Sequence, residues 1–210
     1  MRKVWIFVST VGEDPSAKAE LRRELLAARR ALSPGAAGAA AEALARHALD
    51  LPELARARTV AAYVSVGTEP GTRALLDALH RRGIRVLLPV LLPDNDLDWA
   101  PYDGPVSLAE VHRPGMMRLL EPVGPRLGPD AVTGADTVLL PGLAVDGRGM
   151  RLGRGGGSYD RVLQRLAKAG AHPALVVLLY DDEVVARVPE EPHDHPVQAV
   201  ATPSGVRRFG

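Results

Sequence analysis

Cysteine is absent from the 210-residue chain. Its absence excludes disulfides, thiolate metal centres and a cysteine nucleophile, and removes any sign of an oxidising compartment. Excess charge of one sign is missing too: 26 Lys and Arg face 25 Asp and Glu, a formal net charge of +1. A nucleic-acid binder usually carries an overall basic excess or a dense basic tract. No nucleic-acid partner is therefore expected, although a small anionic ligand needs only local charge. Long apolar runs are lacking as well. None approaches the ~18–20 residues of a membrane helix, so no membrane partner is expected and the cytoplasm is the default location. The stretch Val4 to Val8 after Arg2 and Lys3 mimics the opening of a signal peptide, but it is short and Glu13 and Asp14 soon follow. Residues 1–15 read as a leader, either a short strand or disordered. There is no internal repeat and no low-complexity tail.

What the chain does contain is ordinary globular composition, with 46% hydrophobic and 24% charged residues. That is material for one substantial core, and residues 16–210 are expected to form a single α/β domain. Asp14-Pro15 resembles an N-cap followed by proline at the first helical position. The segment after it, to about Leu32, is helical by pattern, with Leu21, Leu25, Ala28 and Leu32 on one stripe. Ser33-Pro34-Gly35 ends it, and an alanine-rich helix is expected over Ala36 to Leu49. From there the chain alternates. Strands are expected at Thr59–Ser65, Ile84–Val90, Asp136–Leu140, Ala174–Tyr180 and Val197–Ala201. Helices are expected at Thr72–Arg82, stopped by Gly83, and at Ser158–Ala169, with Ser158 as N-cap and Gly170 as stop. Leu91 to Asp130, rich in Pro, Gly and Asp, reads as loops with short strands, including a hairpin around Leu97–Tyr102. Strands alternating with helices imply a three-layer α/β/α fold with a mainly parallel sheet.

The most informative segment runs from Pro141 to Arg161 and ends Arg151-Leu-Gly-Arg-Gly-Gly-Gly-Ser-Tyr-Asp-Arg161. It lies between a buried strand and a helix, the edge where open α/β sheets bind ligands. Gly153, Gly155, Gly156 and Gly157 let backbone N–H groups approach an anion. The following helix adds its positive end, and Arg151 and Arg154 add full charges. Asp160 supplies a hard oxygen ligand beside the anion, which is how Mg²⁺ is commonly held next to phosphates. The spacing is neither G-x-G-x-x-G nor a Walker A loop. Three consecutive glycines could equally be a flexible turn, and an acid in a helix's first turn could merely complement the dipole. In the first helix Lys18, Arg22 and Arg29 form a basic stripe bordering the apolar one. They read either as a solvated face or as cations at the core's rim within reach of a phosphate.

The stretch Leu140 to Arg161 is similar over nearly its whole length to the signature of the 5-formyltetrahydrofolate cyclo-ligase family. Three further pieces occur in that family's order: Lys18-Ala-Glu-Leu21-Arg22, Tyr63-Val-Ser65 with Glu69 and Thr72, and Glu191-Pro-His193-Asp194. The resemblance runs from about Lys18 to Ala201 and implies a fold similar to the sugar-phosphate isomerase and CoA-transferase group. By position it implies that Lys18 and Arg22 touch ATP phosphates and that Arg151, Leu152, Gly153, Arg154, Gly155, Gly156, Gly157, Ser158 and Tyr159 cradle ATP. It further implies that Arg154 to Ser158 also face the folate together with Val64 and Glu69, and that Asp160 and Asp194 bind Mg²⁺. Departures from the common pattern are Ser158 and Arg154, where many members have tyrosine, and Gln198, where aspartate is frequent.

The activity so implied is ATP-dependent cyclisation of 5-formyltetrahydrofolate to 5,10-methenyltetrahydrofolate, releasing ADP and phosphate, by a chain expected to act as a monomer. Two other classes stay open. A sugar-phosphate isomerase or CoA-transferase-like enzyme could use the same anion loop without ATP, and a folate-binding protein would show no turnover. His193-Asp194-His195 lacks a third ligand at a telling spacing. Ser65 and Ser158 lack a nucleophile-elbow context. His47, His80, His112 and His172 read as ordinary surface or helix residues. Trp99 and Tyr102 read as packing residues, with a pterin pocket wall as the alternative.

Overall fold

The computed structural model describes residues 15–112, 118–191 and 194–209, the side chains from residue 17 onward. The expected leader, 1–15, falls almost wholly outside them, as do the N-cap assigned to Asp14 and His193. Helices α1 (Pro15–Ala31), α2 (Pro34–Leu49) and α3 (Pro52–Ala55) come first, then β1 (Thr59–Ala61), α4 (Arg73–Arg81), β2 (Arg85–Leu91) and β3 (Leu97–Pro101). Next come β4 (Leu108–Val111), β5 (Leu119–Pro122), β6 (Thr137–Pro141), β7 (Ala144–Val145) and β8 (Arg151–Leu152). The chain closes with α5 (Ser158–Ala169), β9 (Ala174–Leu178), β10 (Ala199–Thr202) and β11 (Gly205–Arg208).

Seven strands form one sheet in the order β11-β10-β9-β6-β1-β2-β3. The inner five are parallel, and β3 and β11 run antiparallel to their neighbours at the two edges. This is the mainly parallel α/β sheet expected from the alternating pattern. Each inner strand is apolar on both sides because both sides are covered. Val60, Ala62, Val86, Leu88, Leu139 and Val176 face α2, α3 and α4, meeting Leu44, Leu51, Leu54, Leu75 and Leu79. The alternate residues Ala61, Leu87, Val138, Leu140 and Val177 face α5, meeting Val162, Leu163 and Leu166. Burying each of these three α5 side chains contributes roughly 1.5–3 kcal/mol, which holds the helix and the loop before it to the sheet. Asp136 fastens two inner strands at their amino ends. Its carboxylate accepts the N–H groups of Arg58 and Thr59 at 2.8 and 2.9 Å, and these hold its pKa below the usual range.

Several local expectations need correction. The regular ladder of β1 stops at Ala61, where the chain leaves the sheet, so Ala62 to Ser65 is buried or half-buried loop. The hairpin expected around Leu97–Tyr102 is present, with β3 pairing antiparallel to β2. Two short pairings, β7 with β8 and β10 with β11, were not foreseen. Helix α5 is capped by Gly157 in left-handed backbone (φ 77°), so Ser158 is its first helical residue and makes no side-chain cap. On α1, Leu25 and Arg29 are buried while Leu32 is 40% exposed, so the inward line is Leu21, Leu25 and Arg29. Trp99 and Tyr102 are buried packing residues. Among the described residues no helix is long and apolar enough to cross a membrane.

Candidate functional site

From β1 the sheet extends one way through β2, and from β6 it extends the other way through β9 and β10. The connections therefore diverge between β1 and β6, and the crevice beyond their carboxyl ends is where such sheets take ligands. A cavity of about 250 Å³ opens there. Tyr63, Val64 and Glu69 reach it from the loop after β1, Pro141 and Gly142 from the end of β6. Arg151 and the loop Gly153–Asp160 form a second side, and the β4–β5 hairpin supplies Leu119, Leu120 and Glu121.

The glycine loop is bounded by two fixed points. Upstream, β8 pairs with β7, Leu152 buries its side chain beside Leu25, Leu143 and Val188, and Arg151 turns back under the loop. The Arg151 guanidinium donates to Pro141 O at 3.1 Å and to Asp160 Oδ1 at 3.1 Å. Burial lowers its pKa, although Asp160, Tyr159 and Asp194 act to raise it. Downstream, Gly157 needs positive φ to direct its chain into α5, a conformation that disfavours any residue with a Cβ. The stretch between, Gly153 to Gly157, is exposed or half-buried and presents backbone to the cavity.

Helix α1 lies against this loop. Arg22 Nε donates to Gly153 O at 2.9 Å, and a Cβ on Gly155 would lie 3.6 Å from the Arg22 guanidinium carbon. Lys18 Nζ contacts Glu191 and Asp194, each at 2.8 Å. Burial acts against the Lys18 charge, but the two carboxylates outweigh it and raise its pKa. The segment that brings these acids in is anchored by Asp146, which accepts N–H groups from Arg148, Met150 and Val188 and pairs with Arg148. Arg29, expected at the phosphate-accessible rim, is buried. It pairs with Glu183 (Nε–Oε1 2.5 Å, Nη2–Oε2 2.9 Å) and donates to Gly142 O at 2.6 Å. A helical pattern places Arg29 beside the inward stripe but cannot reveal a counter-ion 154 positions away.

The cavity side of the loop carries its own ion pair, Arg154 with Glu69 at 3.4 Å. Glu69 also accepts the Val66 N–H, which closes the turn that presents it. Tyr63 and Tyr159 meet edge to face, centroids 6.5 Å apart, and neither buried hydroxyl has a hydrogen-bond partner among the described residues. Burial, with Glu69 nearby, raises both phenol pKa values. Among the described residues no group of three or more His, Asp and Glu side chains could hold a metal by itself. Asp160 and Asp194 both support the charge of Arg151. Mg²⁺ beside phosphates commonly takes only one or two protein carboxylates, the rest being phosphate and water oxygens, so this pair fits such an ion.

Sequence reasoning missed Glu121, a buried acid in the cavity wall. Its only signal was one acid within the otherwise apolar Leu119–Pro122. It also missed the pairing partner Glu191, although the motif containing it was recognised. Gln198 proves remote from the loop: Oε1 accepts the Leu175 N–H at 2.6 Å near the amino end of β9.

The profile of the 5-formyltetrahydrofolate cyclo-ligase family matches residues 14–203. The chain belongs to this family. A 5-formyltetrahydrofolate cyclo-ligase of Mycolicibacterium smegmatis is 41% identical over 195 residues, covering 90% of this chain and 95% of its own. That of Escherichia coli K12 is 35% identical, with 85% and 96% covered. The solution structure of Aquifex aeolicus 5,10-methenyltetrahydrofolate synthetase superposes with a TM-score of 0.75 at 30% identity, covering 91% of this chain and 92% of that one. Within the cyclo-ligase family frame, the Lys18, Tyr63–Glu69, glycine-loop and Glu191–Asp194 motifs, far apart in sequence, converge on one end of the sheet.

Proposed function

We propose that the chain is a 5-formyltetrahydrofolate cyclo-ligase that couples ATP hydrolysis to ring closure, giving 5,10-methenyltetrahydrofolate, ADP and phosphate. The observation that carries this reading is the glycine loop at the sheet's switch point, with a cavity on one side and the α1 cations on the other. Residues 16–210 act as the catalytic unit, and a single chain supplies every group named, so a monomer suffices. A cytoplasmic location agrees with the lack of cysteine.

In this reading the backbone N–H groups of Gly153 to Ser158 and the positive end of α5 hold the triphosphate. Lys18, Arg22 and Arg154 neutralise it, Arg151 and Leu152 fix the loop's base, and Tyr159 closes its end. Val64 and Glu69 face the folate across Gly155, Gly156 and Gly157. The formyl oxygen of the folate attacks the γ-phosphorus and ADP leaves. N10 then attacks the activated carbon, and phosphate departs. Such a transfer needs positioning and charge compensation more than a protein nucleophile, which matches a site of glycines, cations and carboxylates. Asp160 and Asp194 would hold Mg²⁺, which when bound offsets phosphate charge. Lys18 would then exchange its carboxylate partners for phosphate oxygens.

The test is incubation of the purified chain with 5-formyltetrahydrofolate, ATP and Mg²⁺ while following the near-ultraviolet absorbance of the methenyl product. Growth that requires ATP is expected. An isomerase or transferase would need no ATP, and a passive folate binder would release no phosphate, so either result rejects the proposal.

A further inference from the structure

Thr72 stands at the amino end of α4, where a threonine hydroxyl ordinarily caps a helix. Here the hydroxyl makes no cap bond, and the first turn takes only the Thr72 carbonyl, which accepts the Leu76 N–H at 2.9 Å. The side chain is 1% exposed and spends its hydroxyl on the loop that follows β1. It donates to Tyr63 O at 2.8 Å and accepts the Ser65 N–H at 2.9 Å. The Thr72 N–H in turn donates to Ser65 Oγ at 3.2 Å. Three hydrogen bonds therefore join the two ends of the loop, with Ser65 and Thr72 seven positions apart. A residue kept for helix stability alone would have capped the helix.

What these bonds hold is one wall of the cavity. Tyr63, Val64, Val66 and Glu69 line it. The ladder of β1 ends at Ala61, and Ala62 makes one more bond, to Leu87 O, before the chain leaves the sheet. Beyond that point the bonds to Thr72 take over from strand pairing. Within the closed loop Glu69 Oε2 accepts the Val66 N–H at 2.8 Å, so the carboxylate is set by backbone that Thr72 and Ser65 fix. On the outer side the loop rests on α2, where a Cβ on Gly71 would lie 2.8 Å from Ala41 Cβ. A loop freed from Thr72 would present Val64 and Glu69 in several arrangements, and a ligand that needs one of them binds in proportion to its population. We propose that Thr72 is a positioning residue for the reduced folate, joining the Tyr63–Ser65 limb to the Glu69 limb so that Val64 and Glu69 keep one spacing. Thr72 is not among the lining residues and acts through the loop. The inference rests on the folate reading above and adds the residue that sets the geometry of that wall.

The test separates positioning from stability on the full chain. Thr72→Val keeps shape and burial but removes the hydroxyl, so Tyr63 O loses its donor and the Ser65 N–H its acceptor. KM for 5-formyltetrahydrofolate is expected to rise about 5- to 50-fold, the size of two net hydrogen bonds, while KM for ATP stays within about threefold. Thr72→Ser retains the hydroxyl and should bring the folate KM back to within about threefold of wild type. Ser65→Ala removes only the acceptor for the Thr72 N–H and should raise it about two- to fivefold. In the double variant Thr72→Val/Ser65→Ala the combined factor should fall short of the product, because both changes break one connection. A Thr72→Val chain that melts earlier but keeps the wild-type folate KM overturns the proposal. So does a rise that Thr72→Ser fails to reverse, or one shared equally by both substrates. Should Thr72→Val not fold, Ser65→Ala decides, and an unchanged folate KM there also overturns it. Calorimetric Kd values for 5-formyltetrahydrofolate separate this failure from that of the ligase reading. Wild type that binds folate without turnover rejects the ligase reading while Thr72 is still judged through Kd, and no folate binding by wild type rejects both.

Discussion

Replacing Arg29 with methionine should be among the most destabilising single changes outside the apolar core, although the side chain lies next to a proposed ligand site. Its side chain is 1% exposed and that of Glu183 is 2% exposed. Methionine fills a similar volume, so the change isolates the charge. It strands a buried carboxylate whose remaining hydrogen-bond donor among the described residues is the Tyr180 N–H at 2.9 Å, and it takes a donor from Gly142 O. Breaking a buried pair by removing one partner costs about 3–5 kcal/mol. For a chain of this size that corresponds to a drop in Tm of roughly 6–20 °C, a large share of a typical stability of about 5–15 kcal/mol. Arg29→Met/Glu183→Gln should recover most of the loss, because the stranded charge is gone and the Tyr180 N–H keeps an acceptor. The pH dependence has a definite sign. Burial raises the Glu183 pKa and Arg29 lowers it, for a net rise. Without Arg29 the rise must grow, so the folded variant binds a proton more tightly than its unfolded chain. Its deficit relative to wild type should therefore shrink as pH falls from about 7 toward 5.5. Urea unfolding of the three proteins at both pH values measures this. A loss below about 1 kcal/mol in the single variant, or a deficit that widens on acidification, would refute the reasoning.

Lys18→Ala and Asp160→Ala should each cut ATP-dependent turnover about 10- to 100-fold while leaving the far-ultraviolet circular dichroism unchanged; full activity in both would remove the phosphate and metal assignments. Gly149 has φ 81°, and a Cβ there would lie 2.5 Å from Val197 O. Gly149→Ala should thus cost more than the roughly 1–2 kcal/mol of left-handed strain alone, which a shift in urea midpoint would reveal. Burial acts to raise the Asp146 pKa, but the Val188, Arg148 and Met150 N–H groups and the Arg148 guanidinium lower it overall. The stability it supplies is present above the unfolded carboxylate pKa of about 3.9 and is lost as pH falls through the folded value. Asp146→Asn should be weaker than wild type at pH 7 and show a shallower acid-unfolding slope.

The parallel core was legible because its signals are local. Val86 to Leu88 and Val138 to Leu140 are apolar on both faces, and α5 repeats Val162, Leu163 and Leu166 at helical spacing. The glycine loop was legible because so many small and charged residues in one stretch have few structural uses. What escaped was set by long-range pairing. Arg29 and Lys18 share a stripe and a chemistry, yet a distant glutamate buries one while a distant acidic segment holds the other near the surface. Glu121 lies in a hairpin whose packing over the crevice no local pattern encodes. Ser158 was assigned as a cap from residue preference, but Gly157 already turns the chain, so the serine hydroxyl had no cap left to make.

Helix α1 has a small apolar footing of its own, centred on Leu25 against Leu143, Ala144, Leu152 and Val188. The rest of its attachment runs through Lys18, Arg22 and Arg29, and the first two also belong to the proposed nucleotide site. Ligand affinity and adhesion of this N-terminal helix therefore draw on the same side chains. Saturating nucleotide at about a hundred times its Kd would add roughly 2.7 kcal/mol to the folded state, and part of that would be felt as slower peeling of α1 from the sheet.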